Sequence, residues 1–442
     1  MKHVKKIYDP VHRFIHFSSL EKKLIHSLPF QRLRYIRQLG VAFFVYPGAT
    51  HCRFEHSLGV MELATRIYDK IFQDFSYVRS LKSRLLPLFD LLPIAGSLEY
   101  HYWRSILRLS ALCHDLGHLP FSHAAERSLL GSEGHESWTV KIIQHETLSE
   151  IWEEVEREYR SKGFNRCVGE DIIKISLGEK KFLELFPGKK QFTPWENIVT
   201  NVISGDFFGA DRIDYLLRDA QSTGLAYGLF DYHQLIEMLR ILPPVDAIDR
   251  LMIGVEINGM ESCEALLLAR YYMHKRLYNY PNVKSNAFHL SRAMKTVYGK
   301  RLTHFDEYIR LTDNEAMVEI HHAAQNANHP GHFDAQCLFR SGDGDRFRAI
   351  PLCPSAGEED LKQIQRELNL SDHEISWEIP KPVPRRLSLS FPVLYHDLSV
   401  MWGEDLSEMC IPGYQNHWIY VSPSHFSQVI SCLRAKSFVK VG

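Results

Sequence analysis

Four side chains of metal-ligand type lie far apart in this chain: His56, the adjacent pair His114-Asp115, and Asp211. Imidazole and carboxylate suit borderline and hard divalent ions, and these four can close around one ion with room left for water. For that to happen, three separate segments must fold onto one point. No other feature of the sequence constrains its fold as strongly. The segments are His51-Cys52-Arg53-Phe54-Glu55-His56-Ser57-Leu58-Gly59, Leu112 to His123 with Gly117 and Pro120 inside it, and Gly209-Ala210-Asp211-Arg212-Ile213-Asp214-Tyr215.

Periodicity supplies the helices that such convergence needs. From about Ser19 to about Met294 apolar residues recur at three-and-four spacing, punctuated by Pro and Gly. After Arg53, the residues His56, Val60, Leu63, Ile67 and Ile71 share one helix face, so His56 points inward with an apolar stripe. Ile106, Leu109 and Cys113 form a similar stripe leading into His114. Gly117 and Pro120 are expected to stop that helix, the glycine as a left-handed cap. Adjacent residues leave a helix about 100° apart, so His114 and Asp115 can flank an ion near a helix end without completing a site. Cys113 reads as a packing residue rather than a ligand.

After about Asn314 the character changes. His329 to Asp345 is rich in His, Gly and Asp and reads as loop, and Pro380 to Arg386 reads as linker. Arg346–Leu352, Glu374–Ile379 and His417–Val421 alternate like strands, with helical stretches at Glu358–Leu368 and Ser424–Ala435. The reading is a mainly α protein: a helical body over residues 1–310 and a small C-terminal α+β module over 311–442.

At 442 residues the chain is long for one ordinary core. A formal net charge of −1 gives no general attraction for nucleic acid or membrane, so an anionic ligand must find local cations. The start Met1-Lys2-His3-Val4-Lys5-Lys6 lacks the pattern of a signal peptide. The longest apolar candidate, Leu85 to Gly96, is short and broken by Pro87, Asp90 and Pro93. The eight cysteines form no Cys-x-x-Cys pair, which points to reduced thiols and a cytoplasmic address.

A lone histidine on an apolar face is ordinarily a core residue. Here His114, Asp115, His118 and His123 crowd within ten positions and His135-Glu136 follows. Burying so many polar groups for packing alone is costly. We therefore assign His56, His114, Asp115 and Asp211 to one divalent ion (zinc, iron, manganese, nickel or magnesium). His118, His123 and His135 remain as hydrogen-bond or proton donors, with Glu126 and Glu136 to orient them. Arg53, Arg212 and Arg270 are read as phosphate contacts, whereas Arg32 and Arg37 are read as solvated. Gln31, Arg34, Tyr35 and Gln38 are expected on one helical face, and Arg270, His274 and Tyr278 on another.

Taken together these motifs resemble the HD-domain metal phosphohydrolases, in particular the dNTP triphosphohydrolase branch that includes bacterial homologues and the vertebrate proteins with a sterile alpha motif, a motif not read in this sequence. The resemblance runs from Tyr8-Asp9-Pro10-Val11-His12 through Pro29–Gly40, Pro47–His51, Arg53–Val60, the His114 block and Asp211–Asp219, ending near Tyr278. It implies an HD-type helical fold and the ligand set above. It also implies His135 as catalytic acid or base with His118 and His123 near the phosphates. Arg53, Arg212 and Arg270 would face the triphosphate, with magnesium on the phosphates, and Gln38, Tyr215, Asp219 and Tyr278 would meet the deoxyribose. Tyr278 and Leu39 would exclude a 2′-hydroxyl. The implied products are a deoxynucleoside and triphosphate, and the implied assembly is a homo-oligomer, at least a dimer.

The chain departs from the vertebrate pattern at His26, Gln234, Glu256 and Asn258, where residues that grip a guanine activator are replaced, while Lys5, Gln31 and Arg34 remain. No obligatory GTP activator is expected. Two rival readings share the motifs: a nucleoside monophosphatase or phosphodiesterase on the same scaffold, and a non-catalytic nucleotide-binding regulator.

Overall fold

The computed structural model describes residues 5–73, 92–131, 134–189, 191–246, 250–299, 302, 304–339, 346–379, 386–413 and 417–439. Its architecture is mainly helical. Short helices α1 (Ser19–Ile25) and α2 (Leu28–Arg32) precede the long α3 (Arg53–Gln73) and α4 (Leu98–Cys113). Then come α5 (His123–Leu130), α6 (Gly134–Gln144), α7 (Val168–Leu177), α8 (Pro194–Ser204) and α9 (Ala210–Thr223). α10 (Met260–Met273), α11 (Pro281–Tyr298), α12 (Phe305–Arg310), α13 (Asp313–Gln325) and α14 (His332–Phe339) complete the body.

The inward stripe of α3 is buried as its spacing predicts, and α3 packs against both α4 and α9. Each buried Val, Leu or Ile is worth about 1.5–3 kcal/mol, so this stripe fixes the direction of His56. The α4 stripe Ile106, Leu109 and Cys113 is likewise buried, and Ser97 caps the helix by accepting from the Tyr100 amide at 3.1 Å. α1 opens on a capping box between Ser18 and Glu21. Glu21 also pairs with the buried Arg108 of α4, which ties the N-terminal segment to the core.

Several local expectations are corrected. Helix α4 ends at Cys113 with His114 still in the helical region, and Gly117 is not left-handed. Gly117 is needed for closeness instead: a Cβ there would lie 2.1 Å from the His135 carbonyl oxygen and 2.4 Å from the Thr139 nitrogen. The Gln31–Gln38 segment is not one helical face. α2 stops at Arg32, a 3-10 turn covers Leu33–Tyr35, and Arg37 forms an extended bridge with Cys52. His135 sits in the first turn of α6. Residues 85–91 of the apolar candidate and 380–385 of the expected linker lie outside the described residues.

The expected loop at His329–Asp345 contains α14, and helical structure continues past Asn314 as α13; residues 340–345 lie outside the described ones. Polar composition hid these helices, but Ala316, Ile320, Ala323, Ala335 and Leu338 are buried in a cluster with Val41 and Phe121.

The strands form small sheets. β1 (Lys5–Asp9) and β2 (Arg13–Phe17) make an antiparallel hairpin that the sequence reading did not find. β3 (Leu239–Leu242) and β4 (Met252–Glu256), also unforeseen, pair antiparallel. The three expected strands appear as β5 (Arg348–Pro351), β6 (Ile375–Glu378) and β9 (Trp418–Val421), arranged β5-β9-β6. Between β6 and β9 the chain returns to the body. β7 (Pro392–Leu394) lies parallel to β4 and antiparallel to β8 (Val400–Trp402). Among the described residues no helix is long and apolar enough to cross a membrane.

Candidate metal and acid–base centre

The three distant segments do converge. His56 from α3, His114 at the end of α4 and Asp211 in the first turn of α9 bring one ligand atom each within 4.8 Å of the others. His56 Nε2 lies 3.0 Å from Asp211 Oδ1, and His114 Nε2 lies 3.8 Å from the same oxygen. Asp115 joins them, with Oδ1 3.4 Å from His114 Nε2 and Oδ2 3.7 Å from His56 Nε2.

The tautomers are set from behind. His114 Nδ1 sits 2.7 Å from the Ala111 carbonyl, one turn back in its own helix, so its N–H donates there. His56 Nδ1 lies 2.8 Å from Asp214 Oδ2. Both Nε2 atoms are thereby left facing the carboxylates, buried and without a hydrogen-bond partner. Burial alone would lower the pKa of His56, but the adjacent carboxylates of Asp211 and Asp214 outweigh it and hold it at about 10. A cluster that pulls a proton onto a buried imidazole so strongly calls for positive charge. The donor set, the freed nitrogens and this charge demand all fit a divalent cation.

Asp214 was not singled out from the sequence, yet it organises the back of the site. Its carboxylate meets His12 Nε2 at 2.6 Å and Arg218 Nε and Nη2 at 2.9 Å each, and Arg218 Nη1 continues to Asp9 at 2.8 Å. The four residues are all buried. The available signal was the i, i+4 spacing of Asp214 and Arg218 on the helix that carries Asp211. This network is also why α3 has a glycine at 59. A Cβ there would stand 1.9 Å from Asp214 Oδ1 and 2.5 Å from Arg218 Nη2. Gly59→Ala is expected to disrupt the buried ion pairs and destabilise the protein by about 3–5 kcal/mol, measured by urea denaturation; an unchanged midpoint would contradict this packing account.

A second cluster adjoins the first. His118, His123, Glu126 and His135 bring their ligand-type atoms within the same mutual reach. Glu126 Oε1 accepts from the His135 backbone amide at 2.7 Å and lies 2.6 Å from His135 Nδ1. Its other oxygen meets His123 Nδ1 at 2.8 Å. Burial would raise the pKa of Glu126, but the hydrogen bonds from His123 and His135 hold it far below the usual carboxylate range. The His118 ring stacks on His135 with centroids 3.6 Å apart, and His118 Nε2 lies 3.3 Å from Asp115 Oδ1, which links the clusters. Burial, then the nearby Arg53 and His135, keep His118 neutral.

The predicted cations divide. Arg53 is buried and directed at Asp115 and at Ser122 Oγ, the latter at 2.8 Å. Arg212 Nη1 donates to the Gly205 carbonyl at 3.0 Å, and Arg270 to that of Asp206 at 3.3 Å. Burial, helped by these two arginines, pushes the His274 imidazole down to about 3. Neither Arg32 nor Arg37 is solvated as expected. Arg32 is buried and donates to the carbonyls of Leu311 and His118 at 2.9 Å each, holding the loop after His114. Arg37 lies 3.6 Å from the buried Asp313.

On the far side of Asp211, Tyr278 donates to Asp219 Oδ2 at 2.7 Å, and His51 Nε2 meets Asp219 Oδ1 at 2.7 Å. Tyr215 stands edge-on to Tyr278 at 5.9 Å. Tyr278 leaves a π-helical turn over His274–Tyr278, the rare helical form common at functional sites. Leu39 packs half-buried against the core, and Gln38 Oε1 is buried without a partner.

Residues 53–175, which carry His56, His114 and Asp115 and the whole second cluster, match the HD domain. The chain carries an HD domain over those residues. It is 32% identical over 328 residues to an uncharacterized protein of Methanocaldococcus jannaschii, covering 72% of this chain and 57% of that one. It is 31% identical over 362 residues to deoxynucleoside triphosphate triphosphohydrolase SAMHD1 of Gallus gallus, covering 73% and 52%. The chain thus spans little more than half the length of these relatives. A hypothetical protein from Aquifex aeolicus has a crystal structure similar to it at a TM-score of 0.70 and 26% identity, covering 97% of this chain and all of that one. The fold is also that of a phosphohydrolase from Bacteroides thetaiotaomicron, at a TM-score of 0.62 and 20% identity, covering 95% of this chain.

Proposed function

We propose that this HD-domain protein is a metal-dependent deoxynucleoside triphosphate triphosphohydrolase. The observation that carries the reading is the junction of the two clusters, where a cation-demanding set of two imidazoles and two carboxylates touches an acid–base set through Asp115 and His118. Similarity to an enzyme named for that reaction supports the choice of substrate.

In this reading His56, His114, Asp115 and Asp211 hold one divalent ion. Its chemistry there is Lewis acidity toward a phosphoryl oxygen and toward water. The rest falls to the chain. Glu126 takes the Nδ1–H of His135, so Nε2 is the nitrogen that moves a proton. Water adds to the α-phosphorus and releases one proton to solvent, the bond from phosphorus to O5′ breaks, and its electron pair leaves on O5′. His135 supplies the proton that completes the deoxynucleoside, and the other product is triphosphate. Arg212 and Arg270, with Arg53 deeper in, supply positive charge for the phosphates. Tyr278, positioned by Asp219, and Leu39 close on the sugar face where a 2′-hydroxyl would stand.

The proposal includes a cytoplasmic protein working as a homo-oligomer without an obligatory GTP activator. In keeping with that, Gln31 and Arg34 hydrogen-bond each other at 2.9 Å, and Glu256 is already paired with Arg240 at 2.6 Å.

The test is incubation of purified protein and Mn²⁺ or Mg²⁺ with each dNTP, NTP and dNMP, with and without GTP, and identification of the products. Deoxynucleoside and triphosphate from dNTPs, with ATP much slower than dATP and no strict need for GTP, is the expected result. Equal rates on ATP and dATP would remove the dNTP assignment. Orthophosphate from a dNMP would promote the monophosphatase reading, and binding without turnover the regulator.

A further inference from the structure

The turn that delivers the second cluster is held in an unfavourable conformation. Phe121 and Ser122, neither of them glycine, have φ of +59° and +56°. Left-handed or more extreme backbone at such residues costs about 1–3 kcal/mol each and persists only where surrounding structure enforces it. The next residue, His123, starts α5, the helix that also carries Glu126 and through it anchors His135.

What enforces this turn lies outside the HD match. Asp313 is the first residue of α13, but its carboxylate does not cap that helix, because Thr312 and Glu315 form the capping box. Instead Asp313 Oδ1 accepts from the Phe121 amide at 2.8 Å and Oδ2 accepts from the Arg37 amide at 3.0 Å. The Arg37 carbonyl in turn accepts from Ser122 Oγ at 2.8 Å. Asp313, Arg37, Ser122 and Phe121 thereby close a ring of contacts. Arg37 leads directly into Gln38 and Leu39, so one buried carboxylate joins the strained turn of the acid–base cluster to the expected sugar-facing edge. Burial works against the ionised form and raises the Asp313 pKa to about 6, even though the two amides and Arg37 oppose the rise. A carboxylate kept there at such cost has a task that a neutral residue does not perform. The task requires two acceptor oxygens aimed at two amide donors.

We infer that Asp313 is a positioning residue of the reactive centre: it sets the Phe121–Ser122 turn and the Arg37–Gln38 edge relative to each other, and so places His123, Glu126 and His135 against the substrate. The inference rests on the proposed function for its kinetic consequence and on the geometry alone for its structural one.

The experiment compares Asp313→Ala, Asp313→Asn and Thr312→Ala with the native protein. Four quantities are read: kcat and KM for dNTP, bound metal per chain, melting temperature, and amide hydrogen exchange in peptides covering Arg37 and Phe121. Asp313→Ala removes both acceptors and is expected to lower kcat at least tenfold with metal content unchanged and exchange accelerated at both peptides. Asp313→Asn keeps one acceptor and sets an amide donor against the other N–H, so its kcat and exchange should fall between the two. Thr312→Ala weakens the same helix cap without touching these bonds, and should lower the melting temperature while kcat stays within twofold. If the alanine variant does not fold, the asparagine variant carries the test. Unchanged exchange at both peptides in a folded Asp313 variant overturns the inference, as does a kcat loss in Thr312→Ala equal to that in the Asp313 variants. If the native protein turns over no dNTP, the proposed function fails, and the exchange data still decide whether Asp313 holds the turn.

Discussion

Asp211→Ala is expected to give a folded protein that neither retains a divalent ion nor hydrolyses nucleotide above background. Asp211 stands at the open side of the cluster in the first turn of α9, and its side chain is partly exposed, so its removal leaves no cavity in the core. The electrostatic loss is large. Asp211 is the leading partner that raises the pKa of His56, and its own pKa is held low by His114 and His56. Deleting it removes the carboxylate nearest His56 Nε2 and one of the two beside His114 Nε2. Partners that merely orient a ligand cost about 10–100-fold in metal affinity when mutated, so loss of a direct ligand should cost at least about 100-fold. The checks are metal analysis after gel filtration and turnover with added Mn²⁺. A chelator gives a readout independent of activity. An ion present at 100 times its dissociation constant stabilises a native protein by about 2.7 kcal/mol. Chelation should therefore lower the melting temperature of the native protein and leave that of Asp211→Ala unmoved. Native metal content in the variant would sink the ligand assignment.

The parts of this centre that the sequence made legible are those with a strong period. His56 could be aimed because Val60, Leu63, Ile67 and Ile71 share its face, and burial of that stripe leaves α3 one rotation. The strands β5, β6 and β9 were readable because their residues alternate. Elements stabilised by distant partners were not. β7 is three residues long and exists because β4, far away in sequence, offers it a parallel edge. α14 begins in a stretch whose histidines and glycines resemble loop, and it is helical because Ala335 and Leu338 reach a core. Charge was the hardest to assign. A sequence shows that Arg32 and Arg53 are cationic but not what neutralises them. Arg32 serves backbone carbonyls and Arg53 a carboxylate, and those partners come from segments joined only by the fold. Asp214 and Asp313 escaped notice for the same reason, since Asp214 meets His12 and His56 and Asp313 meets Phe121 and Arg37, all from distant segments.

His135→Ala is expected to lower kcat by about 10²–10⁴, the range for loss of one positioned acid–base group, which corresponds to roughly 2.7–5.4 kcal/mol of transition-state stabilisation. Metal content should stay native, since His135 belongs to the second cluster and not to the first. The case for so large an effect is preorganisation. Its Nδ1 and backbone amide both go to one oxygen of Glu126, and its ring lies on His118 at an interplanar angle of 20°. Those contacts fix the plane of the imidazole and leave Nε2 for the leaving oxygen. Alanine abolishes the proton carrier, whereas Glu126→Gln keeps the carrier and weakens its anchor, so the second variant should lose less rate than the first. KM should change little in either, because the arginines proposed to face the phosphates are untouched. Single-turnover rates for the two variants, measured alongside bound metal, separate a proton-transfer role from a structural one. A His135→Ala protein that turns over dNTP at the native rate with native metal content would exclude His135 from the chemistry and return the assignment to His118 or His123.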